Sequence, residues 1–215
     1  MKKNAFILLA LGFLMYSVNY DQYKDDDVTE IRAGKQMWTV KNLDVFTFQN
    51  GDSILHAKSD EEWINAGKKG IPAWCYYNNQ PKLGKKYGKL YNWYAVSDER
   101  NLAPKGWRIP SKEDWKKLIN FFSGYKRGGK YLKSKTEWID DGGGNNKSKF
   151  NVLPAGNRHN NGKFYYIGEY AYFWTNEIFE DGKPIYQTFV TGHNFISTTT
   201  ITRDYGYSVR CVRDL

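Results

Sequence analysis

The stretch YGKLYNWYAVSDERNLAPKGWRIPSKEDWKKLINFF, residues 87–122, constrains the fold of this chain more than any other. It holds three tryptophans, Trp93, Trp107 and Trp115, and one strong helix start. Ser111 has the chemistry of an N-cap, and Pro110 before it is rigid. Glu113 and Asp114 fall in the first turn, where carboxylates complement free N–H groups. Trp115, Leu118, Ile119 and Phe122 recur at i, i+3, i+4 and i+7, which predicts a helix over about 111–122 with one apolar face. Upstream, Tyr91, Trp93, Tyr94 and Val96 form a second apolar cluster. Pro104, Gly106 and Pro110 make the link between the two an ordered turn. The unit organises a core and contains no evident reaction centre.

The flanks read as short elements. Ser59-Asp60-Glu61-Glu62 is a capping box ahead of Trp63 and Ala66, so a short helix should end near Gly67 or Gly70. Ala73–Tyr77 reads as a strand and Asn78–Pro81 as a turn. In MWTVKNLDVFTFQNGDSIL, apolar alternation runs up to Asn50-Gly51, a hairpin signal, so a strand pair is expected there. Asn161-Gly162 separates residues 157–159 from 164–167. Asp181-Gly182 separates residues 171–174 from 185–190. Residues 205–213 alternate as a final strand. The resulting class is α+β, with two short helices and then a C-terminal half rich in antiparallel sheet.

Residues 1–20 have the form of a signal peptide: Lys2 and Lys3, then a short apolar run from Ala5 to Met15. That run is short for a bilayer span, and a retained N-terminal anchor is the alternative. No cysteine lies near residue 20, so a lipid anchor is not expected, and the mature chain should be secreted or held in the cell envelope. Residues 21–34 are polar and acidic and read as a linker, leaving 35–215 as one domain. The formal net charge is +9, but the basic residues are scattered, and export argues against a nucleic-acid partner. No transmembrane segment is expected once the signal is removed.

Cys75 and Cys211 are the only cysteines. In an exported chain such a pair points to one disulfide, worth roughly 4–5 kcal/mol in the chain-entropy model. Two buried free thiols are the alternative. His56, His159 and His193 are too far apart in sequence for a zinc motif, and the Asp140–Asn146 run lacks the spacing of a calcium loop. No nucleophile elbow or phosphate-cradling loop occurs. No metal or cofactor is expected. A carboxylate pair that meets only in space, as glycosidases need, is not visible at this level. With 17 tyrosines and 8 tryptophans, the aromatic content exceeds what a small core requires. Trp74, Tyr76, Tyr77, Tyr165, Tyr166, Tyr172 and Trp174 are the notable members. As a set they point to a partly exposed aromatic surface able to bind glycans or proteins.

KQMWTVKNL, AWCYYNN, KLYNWYAV, LAPKGWRIPSKEDWKKL, FNVLPAGNR, YFWT and YGYSVRCVRD occur in order from about Lys35 to Asp214. Together they resemble the Fibrobacter succinogenes major paralogous domain. That family in turn resembles the formylglycine-generating sulfatase-modifying fold, a relative of C-type lectin domains. Arg108-Ile109-Pro110-Ser111 with Asp114-Trp115, and Ser208-Val209-Arg210-Cys211, carry that likeness. It implies an irregular lectin-like α+β domain whose ends meet, and it is consistent with Cys75 bonded to Cys211. The enzymes of that fold use two cysteines ahead of the last strand. Residues 150–210 have none, so oxidase activity is expected to be absent. Trp174-Thr175-Asn176-Glu177 only loosely echoes the calcium-dependent sugar motif of lectins.

The expectation is therefore an exported, non-catalytic recognition domain. Its ligand face would be built from loops of the C-terminal β half, with Asn157, Arg158, His159, Trp174, Asn176, His193 and Asn194 as the ligand-binding residues, and its partner would be a glycan or a cell-surface protein. An extracellular enzyme acting on polysaccharide or protein thiols, and a structural envelope component, are the alternatives.

Overall fold

The computed structural model describes residues 29–215. The expected signal peptide and most of the expected linker lie outside the described residues. The strands are β1 (Glu30–Ala33), β2 (Gln36–Thr39), β3 (Leu55–His56), β4 (Ala73–Cys75), β5 (Leu90–Tyr91), β6 (Ala155–Arg158), β7 (Phe164–Ile167), β8 (Tyr170–Ile178), β9 (Pro184–Val190), β10 (Ile196–Thr200) and β11 (Val212–Asp214). The helices are α1 (Asp60–Lys69), α2 (Pro81–Tyr87), α3 (Trp93–Val96), α4 (Lys112–Phe121) and α5 (Gly124–Leu132). The class is α+β, with more helices than the two expected. Short helices such as α3 have too few residues to show an apolar period.

Three sheets form, in the orders β1-β2-β11, β3-β4-β5 and β10-β9-β8-β6-β7. The five-stranded sheet is antiparallel except where β6 runs parallel to β8. β2 lies between β1 and β11, so the start and end of the domain meet: Trp38 is opposite both Ile31 and Val212. Residues 30–33, expected in the linker, are thus the first strand of the domain. Their hairpin turns at Gly34, φ 62°. The Asn50-Gly51 turn exists, but its flanks share only the bridge Thr47–Ser53. The chain before it pairs elsewhere, with Thr39 and Leu43 donating to Cys211 and Val209 carbonyls. The expected last strand is broken into bridges at Tyr207 and Ser208 and the short β11.

Both predicted helix starts form. Ser59 accepts from the Glu62 N–H, and the Glu62 carboxylate returns to the Ser59 N–H. Ser111 and Asp114 make the same reciprocal pair at α4. Asp114 also accepts from Gln36 and from the Arg108 fork, so α4 is pinned to β2. Trp115, Leu118 and Ile119 are buried against Trp38, Phe150, Phe173 and Phe189.

Much of this chain is irregular, and irregular backbone leaves carbonyls that no ladder satisfies. Buried cations take that role. Arg158, 0% exposed, donates to the carbonyls of Ala57 and Ser59 at 2.8 Å and of Gly162 at 3.0 Å, between the rings of Trp63 and Phe164. Arg210 donates to Asn42 Oδ1 and to the carbonyls of Thr39, Phe150 and Asn151, under the Phe150 ring. Lys133 donates to Gly142 and Val190 carbonyls over Trp138. Burial lowers the Lys133 ammonium to about 8 and the Arg210 guanidinium to about 9.

The Cys75–Cys211 disulfide is not present: both cysteines are free and buried. Cys75 packs with Trp63 and Tyr77, whereas Cys211 packs with Tyr91 and Val209, in a different apolar cluster. Strand pairing of the ends through β2 already closes the domain that the disulfide was expected to close. Among the described residues, no helix is long and apolar enough to cross a membrane.

Candidate functional site: a tyrosine face on the C-terminal sheet

Alternation along β8 sends Ala171 and Phe173 to one side and Tyr170, Tyr172 and Trp174 to the other. The register with β9 places Tyr186 opposite Trp174 and Thr188 opposite Tyr172. The C-terminal segment then crosses this side. Trp174 donates to the Ser208 carbonyl and Ser208 donates to the Tyr172 carbonyl. That crossing lays Tyr207 on Tyr172 with centroids 4.8 Å apart and planes at 12°, and on Trp174 at 4.5 Å.

From this floor the rings continue outward. Tyr170 stacks on Tyr172 at 5.5 Å, Tyr166 packs on Tyr170 at 5.1 Å, and Tyr165 on Tyr166 at 5.8 Å. His159 meets Tyr165 at 5.7 Å and Tyr205 at 4.4 Å, and Tyr205 returns to Tyr207 at 6.0 Å. The contacts close a circuit, and Tyr186 on β9 packs against its members Tyr172 and Tyr207. Depth is graded: Tyr207 and Tyr172 are 2% and 8% exposed, and Tyr165 and Tyr166 are 37% and 45% exposed.

Polar groups line the same face. Tyr205 Oη is hydrogen-bonded to His159 Nε2, and Asn161 donates to Tyr165 Oη at 3.3 Å. Asn157 pairs with Tyr165 across β6 and β7, so the two share a side. Its buried Oδ1 has no hydrogen-bond partner among the described residues, an expensive state for a buried acceptor. Tyr166 holds φ 68°, which costs a residue with a side chain on the order of 1 kcal/mol. That conformation turns its ring out at the rim, beside the turn in which Glu169 donates to the Tyr166 carbonyl.

The buried phenols of the face are neutral. Burial raises the Tyr172, Tyr186, Tyr205 and Tyr207 phenols, and neighbouring tyrosine oxygens raise Tyr172 and Tyr207 further. All four therefore keep their protons beyond the ordinary tyrosine range. The surface is a bed of amphipathic rings with neutral hydroxyls.

Of the residues proposed from sequence, His159 and Asn157 belong to this face. Trp174 is 0% exposed and donates its indole N–H to the Tyr91 carbonyl, so it supports the floor and is not a contact residue. Arg158 faces the opposite side and holds carbonyls, as described above. Asn176 is exposed where the β8 backbone donates to Pro110. His193 and Asn194 sit in the exposed β9–β10 turn, which meets α5 where Gly129 donates to the Asn194 carbonyl. The single loop cluster expected from sequence is therefore not formed. Of the aromatic set, Trp74 and Tyr77 are buried as core, whereas Tyr165 and Tyr166 are exposed. Tyr170, Tyr186, Tyr205 and Tyr207 were missed. The alternation in YAYFWT and the Asp181-Gly182 register together give Tyr170 and Tyr186; Tyr205 and Tyr207 arrive by a long-range crossing with no local signal.

Residues 31–213 match the family model of the Fibrobacter succinogenes major domain (Fib_succ_major). The chain belongs to that family. No curated protein and no solved structure matches it.

Proposed function

We propose that this chain is an exported, non-catalytic recognition domain that binds an uncharged glycan on its tyrosine face. The single observation that carries the reading is the closed circuit of graded tyrosine rings with a buried, unpartnered Asn157 oxygen on the same side. Sugar rings present C–H faces that stack on aromatic rings and hydroxyls that bond polar tips, and tyrosine offers both on one rigid side chain. The neutral phenols suit a polyol better than an anion. We further read the domain as a member of the lectin-like, sulfatase-modifying architecture, because its ends pair and its core is irregular and tryptophan-rich. The signal-like residues 1–20 support placement outside the cytoplasm. Both thiols are pushed up to about 12, chiefly by burial, so neither supplies a nucleophile at neutral pH.

The test is a glycan array and a pull-down from envelope extracts, run with the mature chain and a Tyr165→Ala, Tyr166→Ala double variant. Binding of a neutral glycan by the first and not the second is expected. Equal binding by both, capture of protein alone, or turnover of a substrate without binding overturns the reading.

A further inference from the structure

A cleft of about 490 Å³ lies outside the tyrosine face and shares none of its residues. Separate segments build it: residues 40–44 after β2, the end of α2, and the loops at 135–137 and 146–153. Its lining is strongly unbalanced in charge. Lys86 is paired with Glu137, and Asp44 is paired with Lys89, a buried lysine just outside the cleft. Both carboxylates of the lining are thus already neutralised. Lys41, Lys85 and Lys135 are exposed and have no carboxylate partner among the described residues. Arg210 lies buried in the same wall, held by carbonyls and Asn42 with no carboxylate.

A solubilising role does not account for this arrangement. Lys85 and Lys86 complement the C-terminal end of α2, as lysines there commonly do. Lys41 comes from a loop with no helix end to offset, and Lys135 lies two residues past the Lys133 C-cap of α5, yet both line the same recess. Like charges gathered from distant parts of the chain repel, and a surface evolved only for solubility disperses them. A recess that concentrates positive field with low-dielectric walls raises the local concentration of anions.

The rest of the lining narrows the ligand. Asn146 donates to Asn151 Oδ1, and the Asn151 N–H donates to Asn146 Oδ1, which fixes a pair of amides in the wall. Thr136 adds a hydroxyl, and Val40 and Leu153 add apolar surface. Such groups match the hydroxyls and C–H edges of a sugar. Among the described residues no aromatic side chain lines the cleft, so they offer no stacking platform of the kind single-stranded nucleic acids use. Its volume is in the range of small-ligand sites, enough for one or two rings. We propose that this cleft binds a saccharide unit carrying a carboxylate or sulfate group, independently of the tyrosine face.

The full chain is titrated calorimetrically with a galacturonic acid trimer, a sulfated galactose trimer, an uncharged galactose trimer and a short single-stranded oligodeoxynucleotide. The expected result is binding of one or both anionic trimers that weakens as salt rises, because exposed charges are screened. Lys85→Glu and Lys135→Glu should each weaken it by about tenfold or more, equivalent to about 1.4 kcal/mol. Both positions are exposed, so unchanged circular dichroism is expected. Tyr165→Ala should leave this binding unchanged, so the two sites fail or stand separately. The proposal is overturned if the uncharged trimer binds equally well, if neither charge reversal matters, if the oligonucleotide binds tighter, or if no anionic trimer binds at low salt.

Discussion

The two sides of β8 both carry aromatic rings and use them in opposite ways. On one side Phe173 meets Trp115 at 5.3 Å and Phe189 at 6.0 Å, and α4 seals them from water. On the other side Tyr172 stacks on both Tyr170 and Tyr207, and the rings grade outward to the exposed Tyr165 and Tyr166. Apolar content does not separate the two sides; the phenolic oxygen does. A side chain with one polar end is satisfied only where that end reaches water or a partner, so tyrosines collect on the side that α4 does not cover, where the short α3 packs beside Trp174. The α4 side is sealed throughout, whereas the tyrosine side is core at Tyr172 and Tyr207 and opens to solvent at Tyr165 and Tyr166.

Mutations can break or sharpen that contrast. The largest effect should come from Trp115→Ala, which empties the covered side and should cost about 3–5 kcal/mol in urea unfolding. A loss under about 1 kcal/mol would mean that α4 is not the brace of this sheet. Asp114→Ala comes next, at about 2–3 kcal/mol, because it removes the α4 capping pair and leaves the buried Gln36 amide without its acceptor, while Arg108 keeps Asp214. Its pH signature is specific. Burial alone raises this carboxyl, but bonds from Arg108 and Ser111 hold it at about 2, below its ordinary 3.8. A carboxyl lowered in the folded state gives stability that is present above pH 3.8 and lost as pH falls towards 2. Asp114→Asn should flatten that acid limb, and an unchanged limb would assign it to other carboxyls.

A smaller, paired test exchanges chemistry between the sides. Phe173→Tyr places a hydroxyl under α4 and should cost about 1–3 kcal/mol, whereas Tyr172→Phe should cost less than about 1 kcal/mol. Equal costs would show that the hydroxyl does not distinguish the two sides. The smallest change in stability is expected for Tyr166→Gly, which removes the φ 68° strain and should be neutral or stabilising by up to about 1 kcal/mol. The same variant should weaken glycan binding. Retained affinity would remove Tyr166 from the site.

Legibility followed the range of the interaction. The caps at Ser59 and Ser111 and the turns at Asn161-Gly162 and Asp181-Gly182 were readable because a few neighbouring residues decide them. The acidic run before residue 35 hid β1, since a strand so short is held by its partner and not by its composition. Of the candidates read from sequence, Asn157 and His159 lie on the tyrosine face, whereas Trp174 and Arg158 are buried. Nothing local distinguishes a tryptophan that faces a ligand from one that faces Tyr91.

The amino-acid order alone determined the helix starts, the hairpin turns and the aromatic excess, all of which depend on residues within about one turn of one another. Tertiary structure alone decided which side of β8 α4 covers, that Tyr205 and Tyr207 join tyrosines from distant strands, and that five cations from four separate segments meet around one cleft. Those outcomes depend on chain crossings, and burial and electrostatic fields are set by what lies near in space, whatever its place in the sequence.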